Sequence, residues 1–180
     1  MAAFDKSYGA GLRHAYVKVA GGTVYDIDAV VTIDASPEQN DTEIKGDDTI
    51  KATFSSGRKE TLTITANGLS MDVIQAITGN SISSSAGGAE IAVGTDSELS
   101  PPFVEVGGMT NGKTDAGTAV VIEKVWHKVQ LNKITQKMAN ETEFSIDMEG
   151  TAIQASTDIT GAALGSTRTS TVKVYAGQVA

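Results

Sequence analysis

The sequence predicts a mainly β fold, a β-sandwich or partly closed barrel with one short flanking α-helix at about residues 70–78. Three observations predict it. Several segments alternate apolar and polar residues, 19 glycines divide a chain with 20% charged and 40% hydrophobic residues, and a single segment has helical periodicity. With 180 residues, no internal repeat and no linker, we expect one domain spanning residues 1–180.

The segment from 46 to 80 is the most informative part of the chain. Residues 49–54 and 61–66 both alternate, and Ser55-Ser56-Gly57-Arg58 predicts a turn between two strands. The period then changes to that of a helix.

Helix signals follow within a few residues. Ser70 is a suitable N-cap, Asp72 lies in the first turn, and Gly79 is a natural left-handed stop. Apolar residues at helical spacing then predict the buried face, which consists of Val73, Ile74, Ala76 and Ile77.

The remaining strands are expected on either side of this segment, at 12–20, 24–34, 89–93, 103–106, 119–131, 141–149 and 171–175. Strand 24–34 has the clearest alternation, which places these apolar residues on one face: Tyr25, Ile27, Ala29, Val31 and Ile33. Strand 119–131 is apolar on both faces, which indicates burial on two sides. Residues 1–11 are expected to be a flexible N-terminal arm and 35–48 a long polar loop.

Composition excludes several classes of protein. The chain has no cysteine, so no disulfide or thiolate metal site is possible. A net charge of −8 argues against a surface that grips nucleic acid. The N-terminus lacks a signal-peptide pattern and no apolar run approaches ~20 residues, so we expect a chain that is made in a cytoplasm and does not span a membrane.

Two motifs deserve comparison with simpler interpretations. Residues 107–114, GGMTNGKT, fit the phosphate-binding P-loop pattern, but a turn and β-branched residues follow where a helix is needed, so we interpret them as a surface hairpin turn. His14 and His127, with Asp26 or Asp28, offer a metal site, but two histidines of unknown proximity are more often ordinary, partly buried residues. Trp126 is expected in the core or a subunit interface. We therefore predict no catalytic, cofactor or metal site.

The succession of hairpin and "GLS…LTG"-like helix over about residues 40–80 resembles the major tail tube proteins of long-tailed bacteriophages. This resemblance implies a β-sandwich that assembles into hexameric rings, stacked as a tube through which the genome leaves without specific binding. It implies a virion protein, present in the host cytoplasm before assembly, whose further partners are the tail terminator, tape-measure and tail-tip proteins. It also assigns the loop 35–48 to contacts with the next ring, through Glu38, Asp41, Glu43, Lys45, Asp47 and Asp48.

An acidic lumen would repel DNA and let it slide past, because each phosphate contact with a basic wall would slow its passage. We therefore expect four carboxylates to face the lumen: Asp26, Asp28, Glu143 and Asp147. Solvent-exposed charges on the outer face are the equally weighted alternative. An acidic binding or adhesion module and a component of an Hcp-like secretion tube remain alternative functions, and an enzyme is the least favoured.

Overall fold

The computed structural model describes residues 7–9, 11–27, 29–46, 49–85, 87–92, 100–137 and 145–177. It is mainly β, as predicted, with one short helix and a large antiparallel sheet. The strands are β1 (Ser7–Gly9), β2 (His14–Lys18), β3 (Val24–Asp26), β4 (Val30–Gly46), β5 (Thr49–Ala66), β6 (Ile82–Ser85), β7 (Gly88–Ile91), β8 (Val104–Thr114), β9 (Ala119–Lys137), β10 (Ser145–Ile153), β11 (Ala155–Thr157), β12 (Ala163–Arg168) and β13 (Ser170–Ala176). The helix α1 is Met71–Thr78.

The main sheet has the order β3-β2-β8-β9-β10-β5-β4 and branches at β9. The first half of β9 pairs with β8 on one side and β13 on the other, whereas its second half pairs with β10. Because β3 and β4 end the sheet without pairing to each other among the described residues, the sheet does not close into a barrel.

Both halves of the sheet and the helix share one hydrophobic core. Buried apolar side chains come from β2, β8 and β9, from β5 and β10, and from α1. Trp126 is 3% exposed and belongs to this core, which is one of the two places, core or subunit interface, that the sequence predicts for it. The helix matches its prediction closely: Ser70 Oγ accepts from the Val73 N–H, and Gly79 ends it at a φ of +76°.

Two segments that the sequence predicts as turns lie within strands instead. The prediction of a turn at 55–58 is wrong, because β5 runs through it and Gly57 is an unpaired residue between the pairs Gln39–Arg58 and Asn40–Ser56, with a φ of +67°. The prediction of a hairpin turn at 107–114 is also wrong, because these residues belong to β8. The P-loop pattern therefore lies in a strand, without the helix that phosphate binding requires.

The predicted single strand 24–34 is divided. Ala29 has a φ of +51° between β3 and β4, and Val31 is a bulge residue between the pairs Val30–Ala66 and Thr32–Thr65. Val31 is consequently half exposed, whereas Ile27 is buried and Ile33 packs against the core. The alternation therefore does not continue through residue 29.

The predicted loop 35–48 is the other correction. Residues 35–46 belong to β4 and pair with β5 from the Ala35–Leu62 pair to the Gly46–Thr49 pair. Part of the expected flexible arm is also ordered, since Ser7–Gly9 pairs with β8. Residues 80–88 and 150–170, small and polar in sequence, contribute the two small hairpins β6–β7 and β11–β12. No helix in the described part of the chain is long and apolar enough to cross a membrane.

Candidate functional site

The open edges of the sheet are the first candidate site. Four large apolar side chains are exposed among those whose exposure the structure describes, and all lie on edge strands: Val24 on β3, Val31 on β4, and Val172 and Tyr175 on β13. Their exposed fractions range from 45% to 60%. Each of these strands pairs on one side only within the described ranges. Free backbone groups and exposed apolar residues therefore occur together on the same strands.

The β4 edge continues into a long two-stranded arm. β10 covers β5 from Ile146–Ala66 to Ile153–Lys59, and beyond that point the described residues 49–58 of β5 pair with β4 alone. The bulge at Gly57 lies where the arm leaves the sheet. At the same place Glu38 accepts from the Thr61 hydroxyl and pairs with Lys59 at 2.9 Å.

Those contacts lower the pKa of the Glu38 carboxyl, chiefly through the Thr61 hydrogen bond and then through Lys59. Because Glu38 is exposed, its ion pair is worth little stability by itself. It does orient the side chains at the base of the arm.

A buried carboxylate network lies behind the β13 edge. Glu60 is 4% exposed and accepts from the Trp126 indole N–H at 2.8 Å, the Thr169 hydroxyl at 2.6 Å and the Ser170 hydroxyl at 3.2 Å. The Lys124 ammonium lies 3.5 Å away. Burial alone would raise the pKa of Glu60, but the hydrogen bonds and the Lys124 charge outweigh it and lower the pKa.

The second buried carboxylate is Glu105 on β8. Its Oε2 lies 3.0 Å from Nδ1 of His127, which is 4% exposed, and the His127 Nε2 lies 2.7 Å from the Thr171 hydroxyl of β13. Lys18 lies 3.8 Å from the other Glu105 oxygen. One imidazole thus links a β8 carboxylate to β13.

Glu123 on β9 is the third. The Tyr16 hydroxyl donates to one of its oxygens at 2.8 Å and the Tyr175 hydroxyl to the other at 2.9 Å, with Lys173 at 3.8 Å. Burial, followed by the hydrogen bond to Glu123, raises the pKa of both tyrosines. The Tyr16 ring lies against Gly107, where an added Cβ would be 2.2 Å from Tyr16 Cζ.

Two cavities accompany these features. A polar cavity of about 600 Å³ lies over the Tyr16–Glu123 and His127–Glu105 pairs and is partly covered by the β11–β12 hairpin. An apolar cavity of about 330 Å³ is lined by Gly9, Leu12, Ile33, Gly108 and Trp126 among others. The charged side chains lining the polar cavity include several that already bond to one another, which favours a structural role for them over ligand binding.

The predicted acidic set is not brought together. Asp26 is exposed on β3 and lies 3.0 Å from His14 Nε2, whereas Asp147 lies on β10 and accepts from the Thr65 hydroxyl at 2.9 Å. Strands β2, β8 and β9 separate these two residues in the sheet order. Asp28 and Glu143 lie outside the described residues.

The predicted inter-ring residues divide in the same way. Glu38 is described above, and the backbones of Asp41, Glu43 and Lys45 lie in the arm strand β4. Asp47 and Asp48 lie outside the described residues. The prediction that these residues lie in a loop is wrong for Glu38, Asp41, Glu43 and Lys45, because all four belong to β4.

The two histidines both line the polar cavity but have different partners. His14 pairs with Asp26 and His127 with Glu105. Among the residues described, no group of three or more histidine, aspartate or glutamate side chains is arranged to hold a metal ion.

Sequence reasoning missed the three buried glutamates as a set. A signal was present for Glu105 and Glu123, which interrupt the apolar runs FVEV and VVIEKV. A charge inside such a run is expected to have a partner when buried. The identity of the partners could not be read, because they come from strands distant in sequence.

Comparison with known proteins adds no assignment: neither a protein-family model nor a curated protein matches the chain.

Proposed function

We propose that this protein is a structural subunit that assembles through its sheet edges into hexameric rings, which stack as a tube like that of long-tailed phages. The single observation that carries the proposal is the placement on edge strands of all four large apolar side chains that are exposed among the side chains with described exposure. A monomer normally blunts such edges, since they are aggregation hazards. An assembling subunit completes them with copies of itself.

The free energy gained by burying side chains can be compared with the free energy that subunit association costs. Covering an exposed valine or tyrosine contributes at most about 1.5–3 kcal/mol. Association costs about 4–15 kcal/mol in lost freedom, so side-chain burial at one edge is not sufficient. Backbone ladders between edge strands would have to add to it, which is why the unpaired β4 and β13 edges matter as much as their apolar residues.

Part of the β4 edge suits such pairing better than the rest. Pro37 has no N–H to donate to a neighbouring strand, and prolines are tolerated on edges for that reason. The stretch before it, from Val30 to Ser36, carries the exposed Val31 and keeps its backbone donors. We assign subunit pairing within a ring to this stretch and to β13.

The arm has the shape expected of a contact between rings. In the tail tube family a long segment between the second strand and the next hairpin reaches the neighbouring ring. In this chain the corresponding residues form the two-stranded arm of β4 and β5, which extends past the part of β5 covered by β10. A paired arm is stiffer than a loop, so less ordering cost would accompany its docking.

Charge supports a conduit for DNA. Six copies at −8 each carry about −48, and a wall of that sign repels phosphate at distances up to the ~8–10 Å screening length. Asp26, which is exposed, is the described residue best suited to the lumen. The half-buried Asp147 is less available, because Thr65 donates to it.

The role so proposed requires no catalytic residue or cofactor. It places the protein in the virion tail, and in the host cytoplasm before assembly, with the tail terminator, tape-measure and tail-tip proteins as partners by resemblance. An Hcp-like secretion tube would use the same edges.

Electron microscopy of the purified protein tests the proposal. Hollow rings or tubes with six-fold symmetry are the expected result. A protein that stays monomeric by light scattering up to its solubility limit, with no particles under the microscope, would contradict self-assembly. The tube diameter and the presence of DNA-ejecting virions in the source culture separate a phage tail from a secretion tube.

A further inference from the structure

The attachment of β13 differs from that of the other strands of the main sheet. None of the residues Ser170–Ala176 is among the buried apolar side chains; Val172 is 60% exposed, and Tyr175 is 45% exposed although its hydroxyl reaches Glu123. Its backbone ladder runs to β9 alone, from Ser170–Trp126 to Ala176–Val120. Hydrophobic burial, the main stabilising contribution elsewhere in the fold, therefore adds little here.

Buried carboxylates supply the remaining attachment. Among the side chains whose exposure is described, three acidic ones are buried: Glu60, Glu105 and Glu123. Each one binds β13 or the residue before it: Glu60 through Thr169 and Ser170, Glu105 through His127 to Thr171, and Glu123 through Tyr175 and Lys173. We propose that Glu60 and Glu123, which accept directly from residues 169–175, form an acid-sensitive latch, which holds β13 on the sheet at neutral pH and releases it selectively in acid.

Protonation changes the network in two ways. A carboxylate accepts at both oxygens, whereas a carboxylic acid has a proton on one of them and loses the charge that strengthens each bond. Glu60 and Glu123 each accept two or more hydrogen bonds spread over both oxygens, so a proton removes an acceptor site in use. Lys124, Lys18 and Lys173 then lose the charge that they face.

His127 does not trigger the change. In its neutral form one ring nitrogen donates to Glu105 and the other accepts from the Thr171 hydroxyl, and in its charged form it donates to both, since the hydroxyl can rotate. Both forms keep the link to β13. The response to acid therefore comes from the carboxylates that accept from β13 and not from this imidazole.

The other charged groups nearby do not reverse this direction. His14, Asp158 and Arg168 line the cavity beside Glu105 and Glu123, and Arg58 lies beside Glu60. Arg58 and Arg168 carry the same sign of charge as the three lysines, so they add to the attraction that a carboxylate loses on protonation. Burial alone would raise the pKa of Glu60, but its hydrogen bonds and Lys124 outweigh burial and lower it, so its contribution is present above the unfolded pKa and is lost as the pH falls through the folded value.

The consequence for assembly rests on the proposed function. β13 carries two of the four exposed apolar side chains assigned to subunit contacts. Its release would remove one pairing edge of every subunit, so a tube formed at neutral pH would disassemble in acid while the rest of each subunit stays folded.

Amide hydrogen exchange on the full chain, diluted until it is monomeric, tests the latch directly. Protection factors, corrected for the intrinsic pH dependence of exchange, are compared for residues 170–176 and for the β5–β10 ladder at about pH 7 and about pH 3.5. We expect β13 protection to fall at least ~10-fold more than that of the ladder. Parallel loss in both regions, or no protection of β13 at neutral pH, would overturn the proposal.

A variant pair gives a second test. Glu60→Gln with Glu123→Gln should lower β13 protection at neutral pH and flatten its pH dependence, whereas Glu149→Gln, in an exposed pair with Lys133, should behave as the parent protein. Should the double variant fail to fold, the parent protein's pH comparison decides alone. Tubes at neutral pH without selective release of β13 in acid would reject the latch and leave the proposed function standing. Selective release of β13 without assembly at any pH would support the latch and reject the proposed function.

Discussion

Trp126 of β9 donates its indole N–H to Glu60 of β5 at 2.8 Å, across the interior that the two halves of the sheet share. The bond places a carboxylate beside the one tryptophan of the chain, and Lys124 lies over the same ring at 4.6 Å. A buried charge is tolerated there because four donors surround it. Glu60 thereby ties the base of the arm to the start of β13.

Truncating Glu60 should be among the most damaging single changes. Glu60→Ala leaves the Trp126 N–H and the Thr169 hydroxyl without their acceptor, and should lower the free energy of unfolding by about 3 kcal/mol. Glu60→Gln keeps one acceptor oxygen and should cost about 1–2 kcal/mol. Urea denaturation measures both, with Glu149→Gln as a control expected within about 0.5 kcal/mol. Equal values for Glu60→Ala and the control would refute the network.

Gly107 should not tolerate a side chain. A Cβ there would lie 2.2 Å from Cζ and 2.5 Å from the hydroxyl of Tyr16, so the ring must move and its bond to Glu123 must break. We expect Gly107→Ala to destabilise by about 2–4 kcal/mol. Gly21→Ala, whose Cβ meets no heavy atom within 4 Å, is the matched control. In a Tyr16→Ala background the cost of Gly107→Ala should shrink, and an unchanged cost would show that the ring is not the obstacle.

The two tyrosines on Glu123 predict a loss of stability in alkali. Burial and the hydrogen bond to Glu123 raise the pKa of Tyr16 and Tyr175 above the unfolded value of about 10. Both are protonated in either state below that pH, and above it the unfolded chain loses protons first, so stability declines as the pH rises. The Tyr16→Phe, Tyr175→Phe variant should have a shallower decline in urea midpoint between about pH 8 and about pH 11. Identical slopes would contradict these pKa directions.

Shortening the arm should separate ring formation from stacking. Deleting Thr42–Glu43 together with Thr53–Phe54 removes two facing pairs, Thr42–Phe54 and Glu43–Thr53, and keeps the faces of the remaining residues unchanged. Because β10 does not cover this part of β5, the core and the ring edges stay intact. Electron micrographs should then show rings but few tubes. Tubes of normal length would exclude the arm from contacts between rings.

Local signals explain what the sequence could predict. The helix is defined by Ser70, Gly79 and an apolar stripe within a few residues of one another, so tertiary contacts are not needed to recognise it. The alternation of Ile146 and Met148 likewise follows from burial of one face of β10, which the structure confirms. Such features depend on neighbours along the chain.

Segments whose sequence is compatible with two different local structures could not be predicted. A glycine such as Gly57 permits a positive φ in a turn or in a bulge, and only the partner strand decides between them. Among the described residues, β5 before Lys59 has a ladder with β4 alone, and the sequence of this part of β4 is polar without alternation, so it resembled a loop. Part of the network on β13 depends on contacts between residues more than a hundred positions apart, such as Glu60 and Thr169.

The most direct test of the central claim changes the edges themselves. Val31→Lys combined with Val172→Lys adds charge to two edge strands where both valines are already exposed, so the subunit should stay folded while assembly is blocked. Ser81→Lys with Ser166→Lys, at two exposed positions outside β4 and β13, adds the same charge as a control. At matched concentration, electron microscopy should show rings and tubes for the parent protein and the control but only monomers for the edge variant. Tubes formed equally well by the edge variant would contradict assembly through these edges.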